Sequence, residues 1–209
     1  MRSNQEVIEK FEELVSGFAG AKYGVAVDCC SHAIYLSLRW YKEAMDTYAP
    51  DYVEVPKMTY VSVPAMAIHA GYKIKFTDKE WSGNYKLDPT MVVDGAGRWK
   101  KGMYWPGSLY CVSFHYKKKL STGKGGMILT DDFEAVKWLR KARFAGRDVE
   151  GYFDIKDIDV LGWHMQMTPE TAARGIEEFY SLDDEYPDFG SSENRLDLSE
   201  FSAFKPHLK

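Results

Sequence analysis

The sequence contains only three cysteines, Cys29, Cys30 and Cys111, among its 209 residues. Three thiols, two of them adjacent, do not form the paired framework of a small disulfide-rich protein. The cysteines and the scattered histidines also lack the spacing of a zinc site, so we assign no metal ion. We therefore expect the fold to depend on a hydrophobic core.

Long apolar runs and an excess of positive charge are missing as well. No stretch of about 18 apolar residues occurs, so no membrane-spanning helix is expected. Residues 1–6 are polar and lack the apolar core of a signal peptide, which leaves the cytoplasm as the expected location. The formal net charge is −4, which gives no electrostatic reason to expect binding to nucleic acid.

The distribution of apolar residues predicts one domain of mixed secondary structure. Hydrophobic residues make up 45% of the chain, enough for one sizeable core. Helical spacing alternates with short apolar runs, which predicts an α/β fold with a mostly parallel central sheet flanked by helices. Strands are predicted at 24–27, 52–55, 73–77, 91–93, 109–114 and 126–130. Helices are predicted at 8–18, 31–44, 61–70, 133–144 and 169–182, the last with Thr168 as N-cap and Pro169 at its first position.

The segment 113–127 has the pattern of a strand, a polar loop with lysines and a glycine-rich turn into another strand. A lysine fixed where a strand ends can be partly desolvated, which makes its amine nucleophilic. An aldehyde cofactor such as pyridoxal phosphate (PLP) needs such an amine. The alternative is that the three consecutive lysines, 117–119, are ordinary solvated loop charge.

A second segment, 91–97, is a short apolar run that ends in Asp94 and small residues. It indicates a buried strand whose carboxylate emerges at the carboxyl end, where open α/β sheets place their ligands. A carboxylate there could keep the pyridinium nitrogen of PLP protonated. The alternative is an aspartate that only ends a strand in a turn.

Together these segments resemble the PLP-dependent sugar aminotransferases of the DegT/StrS type. That family carries Asp-x-Ala and then Ser-Phe-His-x-x-Lys-x-Leu-x-x-Gly-x-Gly-Gly, which stand here at 94–96 and 113–126. Further similar blocks occur in the family's order: an opening helix at 11–21, a first strand and phosphate-binding turn at 24–38, a Pro-x-x-Thr-aromatic segment at 56–62, the next strand at 70–78, and a Gly-aromatic segment at 162–168. The resemblance covers most of the chain and implies the large domain of fold type I PLP enzymes.

The resemblance also implies a cofactor and residues that hold it. Lys118 would form the Schiff base with pyridoxal 5'-phosphate and then act as general base and acid, while Asp94 would stabilise the pyridinium. Tyr60 would stack on the ring, although an aromatic residue at this position is also typical of a core. His115, beside the lysine, is a further candidate, and Gln166 lies in a loop that can reach the neighbouring subunit's cofactor phosphate.

The phosphate-binding turn departs from the family pattern. Relatives usually have Ser-Gly-Thr, whereas this chain has Cys29, Cys30 and Ser31. Ser31 can still donate a hydroxyl at a helix N-terminus, and with Ser113 and the backbone amides of the turn it would bind the phosphate. Cys30 replaces a glycine, which changes how the backbone approaches the phosphate. Gly97 stands where relatives often carry a Gln or His near the cofactor.

Length is the largest departure from the family. Relatives continue into a second, smaller domain, whereas only residues 181–209 follow here. We therefore expect a PLP-binding large domain at 1–182 and a C-terminal tail or arm at 183–209. The tail is acidic over much of its length, which is typical of a mobile segment. Its aromatic residues indicate that parts of it dock on this subunit or a neighbouring one.

The expected activity is transfer of an amino group from an amino acid, glutamate or glutamine by resemblance, to a keto-sugar that is nucleotide-linked. One alternative is a PLP aminotransferase that acts on small keto acids. The other is a non-catalytic protein that binds PLP or a partner without turnover. The resemblance also implies a homodimer with a shared active site, to which the loop 163–167 would contribute.

Overall fold

The computed structural model describes residues 4–147, 157–193 and 196–209. Helices and strands alternate as far as residue 77, as the sequence predicts, and the strands from there to residue 130 follow one another without a helix between them. The helices are α1 (Asn4–Ala19), α2 (Cys30–Met45), α3 (Ser62–His69), α4 (Phe133–Arg143) and α5 (Pro169–Phe179). The strands are β1 (Tyr23–Val27), β2 (Tyr52–Pro56), β3 (Lys73–Thr77), β4 (Tyr85–Lys86), β5 (Val92–Asp94), β6 (Leu109–Ser113) and β7 (Gly126–Thr130). Single 3-10 turns occupy Asp46–Tyr48, Ser191–Glu193, Leu198–Glu200 and Lys205–His207.

The α/β class is confirmed, but the larger sheet is mixed. Its strand order is β1-β7-β6-β5-β4, and β2 pairs with β3 in a separate parallel ladder. Among the described strands of the larger sheet only β5 and β6 run parallel; the other pairs are antiparallel. The expectation of a mostly parallel sheet is therefore wrong for this sheet. Parallel neighbours need a long crossover, whereas loops without a helix join β4 to β5 and β6 to β7.

The sheet lies between two layers of helix, each with its own apolar core. Alternate residues of β1 face opposite layers: Val25 and Val27 contact the core that contains Ile34 of α2, whereas Ala26 contacts the core that contains Phe11 of α1. This arrangement places the carboxyl ends of β5 and β6 beside the beginning of α2.

Helix ends follow the local sequence signals. Thr168 accepts a hydrogen bond from the backbone N–H of Thr171, and Pro169 begins α5, as predicted. The helix ends at Phe179 rather than at Leu182. Two aspartates follow Leu182, and negative charge is unfavourable at a helix C-terminus.

A buried ionic group joins α1, β1 and α4. The Glu12 carboxylate accepts hydrogen bonds from Arg143 at 2.5 Å, from Arg140 at 3.0 Å and from the backbone N–H of Ala26 at 2.8 Å. Glu12 and Arg143 are almost fully buried. Their charges satisfy each other, which is the condition under which buried ions are tolerated.

The described part of the tail packs against the rest of the chain. Residues 184–189 run beside residues 97–101, with backbone hydrogen bonds between the two segments. Three ion pairs add to this contact: Arg98–Asp188 at 2.5 Å, Lys100–Glu185 at 2.5 Å and Lys101–Asp184 at 3.2 Å. Farther along, Leu198 and Phe204 are buried in the core, so aromatic docking of the tail occurs within this subunit. In the described residues, no helix has the length and apolar content to cross a membrane.

Candidate active site

Asp94 ends β5 with its carboxylate inside the protein. The residue is only 6% exposed. Oδ2 accepts a hydrogen bond from the Tyr85 hydroxyl at 2.7 Å, and Oδ1 accepts one from the backbone N–H of Ala96 at 3.0 Å. Burial raises the pKa of Asp94, and these two hydrogen bonds and the positive charge of Lys118 oppose that rise. The structure therefore brings together Asp94 and Lys118, the two predicted catalytic residues, closely enough for their charges to interact.

A hydroxyl relay orients this carboxylate. The Tyr85 hydroxyl also lies 2.5 Å from Thr59 Oγ1. Because Tyr85 donates its proton to Asp94, it accepts from Thr59, so the hydrogen bonds run in one direction toward the carboxylate. Sequence reasoning missed Tyr85, since β4 contains only two residues and is too short for a detectable period.

Lys118 lies in the turn that follows β6. Its backbone N–H donates to the carbonyl of His115 at 2.8 Å, which holds the turn in place. The residue is half-buried, and its ammonium lies 5.2 Å from the centroid of the Phe189 ring in the tail. A cation over an aromatic face is favourable, so the tail contributes to the surroundings of this amine.

The turn at Cys29–Ser31 begins α2 and is held tightly against β7. A Cβ atom on Gly126 would lie 2.5 Å from both the Cys29 carbonyl carbon and the Cys30 nitrogen, so only glycine permits this contact. Cys29 is the N-cap but its side chain makes no capping hydrogen bond. The first backbone N–H groups of α2 are thus available to an anion.

Two serine hydroxyls meet beside this turn. Ser31 Oγ lies 2.7 Å from Ser62 Oγ, which brings the N-termini of α2 and α3 together. Burial raises the pKa of the Cys30 thiol well above its usual value, so this side chain stays neutral. The hydroxyls and backbone amides suit a phosphate, and Ser62 is an addition to the residues that the sequence indicated.

The other predicted residues are placed around these groups. Tyr60 is 65% exposed, so it is not a core aromatic. Ser113 ends β6 and accepts a hydrogen bond from the backbone N–H of His115 at 3.4 Å, while the His115 ring packs on Tyr116. Gln166 forms a bridge with Val27 of the same chain, and its buried Oε1 has no hydrogen-bond partner among the described residues.

Residues 2–94 and 102–187 match the model of the DegT/DnrJ/EryC1/StrS aminotransferase family. The chain belongs to this family. A curated relative is the spore coat polysaccharide biosynthesis protein SpsC of Bacillus subtilis (strain 168), which is 24% identical over 227 residues, covering 85% of this chain and 57% of the relative.

Solved structures show the same fold. AtS13 from Actinomadura melliaura has a TM-score of 0.71 and 19% identity, with 84% of this chain and 60% of that chain covered. The E. coli GDP-4-keto-6-deoxy-D-mannose-3-dehydratase with bound hydrated PLP has a TM-score of 0.69 and 17% identity, with 84% and 61% covered. The chain thus spans about three fifths of the length of these relatives.

One departure from the DegT/DnrJ/EryC1/StrS pattern has a structural cause in this chain. A Cβ atom on Gly97 would lie 2.6 Å from the carbonyl oxygen of Phe189 and 2.8 Å from that of Gly83. The backbone N–H of Phe189 donates to the Gly97 carbonyl at 2.8 Å. The tail therefore occupies the space into which a larger residue at position 97 would extend.

A further group, absent from the sequence-based prediction, lies at the start of α2. His32 Nδ1 is 2.6 Å from Asp28 Oδ1, and Lys124 Nζ is 3.2 Å from Asp28 Oδ2. Hydrogen bonds to Asp28 and then to Cys29 raise the pKa of His32 to about 9, so the imidazole is protonated at neutral pH. Two neighbouring positive charges and the helix N-terminus make this position unfavourable for a divalent cation.

Proposed function

We propose that this protein is a PLP-dependent aminotransferase. The observation that carries the proposal is the buried, hydrogen-bonded Asp94 within electrostatic reach of the half-buried Lys118. A carboxylate for the ring nitrogen and an amine for the aldehyde are the two groups that pyridoxal phosphate needs. The family assignment and the PLP in the E. coli relative support the same cofactor.

The residues present fit the cofactor. When bound, PLP would supply an electron sink for the substrate carbanion. The charge of Asp94 would keep a pyridinium nitrogen protonated, and the relay from Thr59 through Tyr85 holds that carboxylate in position. The Lys118 amine would take a proton from the substrate α-carbon and return one as general base and acid.

The phosphate would be bound at the start of α2. The Ser31 and Ser62 hydroxyls and the first backbone amides of that helix converge there, and Ser113 ends the neighbouring strand. Tyr60, which is exposed beside Thr59, would cover one face of the ring. His115 would adjust the position of the turn that carries Lys118.

The substrates follow from the relatives. Glutamate or glutamine is the proposed amino donor, and a nucleotide-linked keto-sugar is the proposed acceptor, because a relative with PLP is a dehydratase of such a sugar. We also propose a homodimer with a shared site, in which the unpaired Oε1 of Gln166 would receive a hydrogen bond from a partner or cofactor group. Sedimentation equilibrium tests the dimer, and a monomer at all concentrations would contradict it.

The absorption spectrum of the protein with PLP tests the cofactor, the lysine and the donor together. We expect a visible band that depends on Lys118 and changes when glutamate is added. Lys118→Ala should abolish the band, whereas Lys117→Ala, which removes an exposed lysine one residue away, should keep it. A band of equal intensity in Lys118→Ala would contradict the proposal. Amination of a nucleotide-linked keto-sugar, with a small keto acid as the comparison, then tests the acceptor.

A further inference from the structure

A cluster of nucleophilic and titratable side chains lies outside the Lys118–Asp94 pair. The imidazole of His32 is hydrogen-bonded to the Asp28 carboxylate, and the Cys29 thiol lies beside both groups. One reactive atom from each of the three residues lies within 4.8 Å of the others. A thiol beside an imidazole that a carboxylate orients is the arrangement that activates cysteine nucleophiles.

A helix N-terminus and two positively charged side chains lie near this thiol. Cys29 is the N-cap of the sixteen-residue helix α2, where the helix dipole stabilises negative charge. His32 is protonated at neutral pH. The Lys124 ammonium donates a hydrogen bond at 3.2 Å to Oδ2 of Asp28, the carboxylate oxygen that His32 does not contact. The thiol has no capping hydrogen bond to the helix that would hold it.

The chain contains two other thiols, which serve as internal comparisons. Cys29 and Cys30 are both half-buried, so a small reagent can reach either of them. Cys111 is fully buried in the core. Burial raises the pKa of Cys30 well above its usual value, and the nearby carboxylate of Asp94 acts in the same direction, so this neighbour is a poor nucleophile.

We propose that Cys29 is a modification site that exchanges with small disulfides, and that a modified Cys29 and a bound phosphate group exclude each other. In the exchange, the Cys29 proton passes to solvent and the protonated His32 pairs with the thiolate. The sulfur attacks one sulfur of the disulfide, a new S–S bond forms, and the old S–S bond breaks. Its electron pair leaves with the departing thiolate.

The exclusion follows from the position of Cys29 on the turn that begins α2. The backbone amides and the Ser31 hydroxyl proposed to hold phosphate come directly after this residue. A group attached to the Cys29 sulfur would lie next to these donors and compete with phosphate for the space. A bound phosphate dianion would repel the negatively charged thiolate. This second part rests on the proposed function, whereas the reactivity of the thiol does not.

The test is the rate of reaction with dithionitrobenzoate, an aromatic disulfide that releases a coloured thiolate. Peptide mass spectrometry locates the label. We expect Cys29 to be labelled first and His32→Gln to slow its labelling at least about tenfold, with Asp28→Asn slowing it less. His69→Gln, which removes an exposed imidazole at the end of α3, is the matched control and should leave the rate unchanged. First labelling at another cysteine would overturn the proposed reactivity of Cys29. So would a labelling rate of Cys29 in folded His32→Gln and Asp28→Asn that equals the wild-type rate.

Inorganic phosphate at constant ionic strength tests the exclusion. We expect phosphate to slow labelling of Cys29 in comparison with chloride, and prior labelling to abolish the phosphate effect on thermal stability. Equal rates in phosphate and chloride would overturn the exclusion. Failure of the proposed function would instead show as the absence of a Lys118-dependent absorption band in the protein with PLP. The two failures are therefore distinguishable.

Discussion

Replacing Tyr85 by phenylalanine tests the relay that holds Asp94. The change removes one hydroxyl but keeps the ring, which packs on Trp81 with centroids 4.8 Å apart. A buried hydrogen bond to a charged group contributes about 1.5–3 kcal/mol, whereas one between neutral groups contributes about 0.5–1.5 kcal/mol. We therefore expect Tyr85→Phe to lower the free energy of unfolding by about 1.5–3 kcal/mol where Asp94 is ionised.

The charge of Asp94 is isolated by repeating the change in an Asp94→Asn background. There the Tyr85 hydroxyl faces a neutral amide, so its removal should cost about 1 kcal/mol less. Urea unfolding of the four proteins at pH 8 gives the coupling energy directly. A coupling below about 0.3 kcal/mol would refute the role assigned to this hydrogen bond.

The pH dependence of the same proteins has a definite sign. Because the pKa of Asp94 is raised in the folded chain, the folded state holds that proton more tightly than the unfolded state. This contribution makes the unfolding free energy fall as pH rises from about 4 through the pKa of the folded chain. Asp94→Asn should remove that contribution, and Tyr85→Phe, which raises the pKa further, should extend it to higher pH.

Three further predictions concern the framework of the site. Glu12→Ala leaves Arg143 buried without its partner and should cost about 3–5 kcal/mol of unfolding free energy in urea, whereas Arg140→Ala, at a more exposed partner, should cost less than half as much. Gly126→Ala should displace the turn that begins α2 and weaken PLP binding in a spectroscopic titration. Its control, Gly17→Ala, places a methyl group in open space within α1 and should leave binding intact. The raised pKa of His32 gives stability that is fully present below about pH 6.5 and is lost as pH rises through about 9. Thermal unfolding should show that His32→Gln loses less stability than the wild type between about pH 6.5 and 9. An equal loss of stability in the two proteins would contradict the raised pKa of His32.

The sequence predicted what depends on local pattern. Helical spacing and the Thr168–Pro169 signal located α5, and apolar runs located the long strands. Sheet direction was missed, because pairing depends on which strands meet in space rather than on their own residues. The family resemblance indicated Lys118 and Asp94 as the catalytic pair, which stays a prediction, and the structure places their charges within reach of each other.

Other parts of the site required the fold. Tyr85 and Thr59 are twenty-six positions apart, and only the meeting of β4 with the loop before α3 joins their hydroxyls. Asp28 and His32 are closer, with the i, i+4 spacing of a helix. Asp28 nevertheless precedes the helix, so its contact with the imidazole depended on how the chain enters α2.

The docked tail also acts as an intramolecular counterion. Arg98, Lys100 and Lys101 form a basic surface, and three carboxylates of residues 184–188 neutralise it. Undocking would expose three positive charges and would also remove the Phe189 ring from Lys118. Two of the ion pairs are exposed and therefore weakened by salt, so ionic strength should affect both the local electrostatic potential and the hydration of the lysine amine.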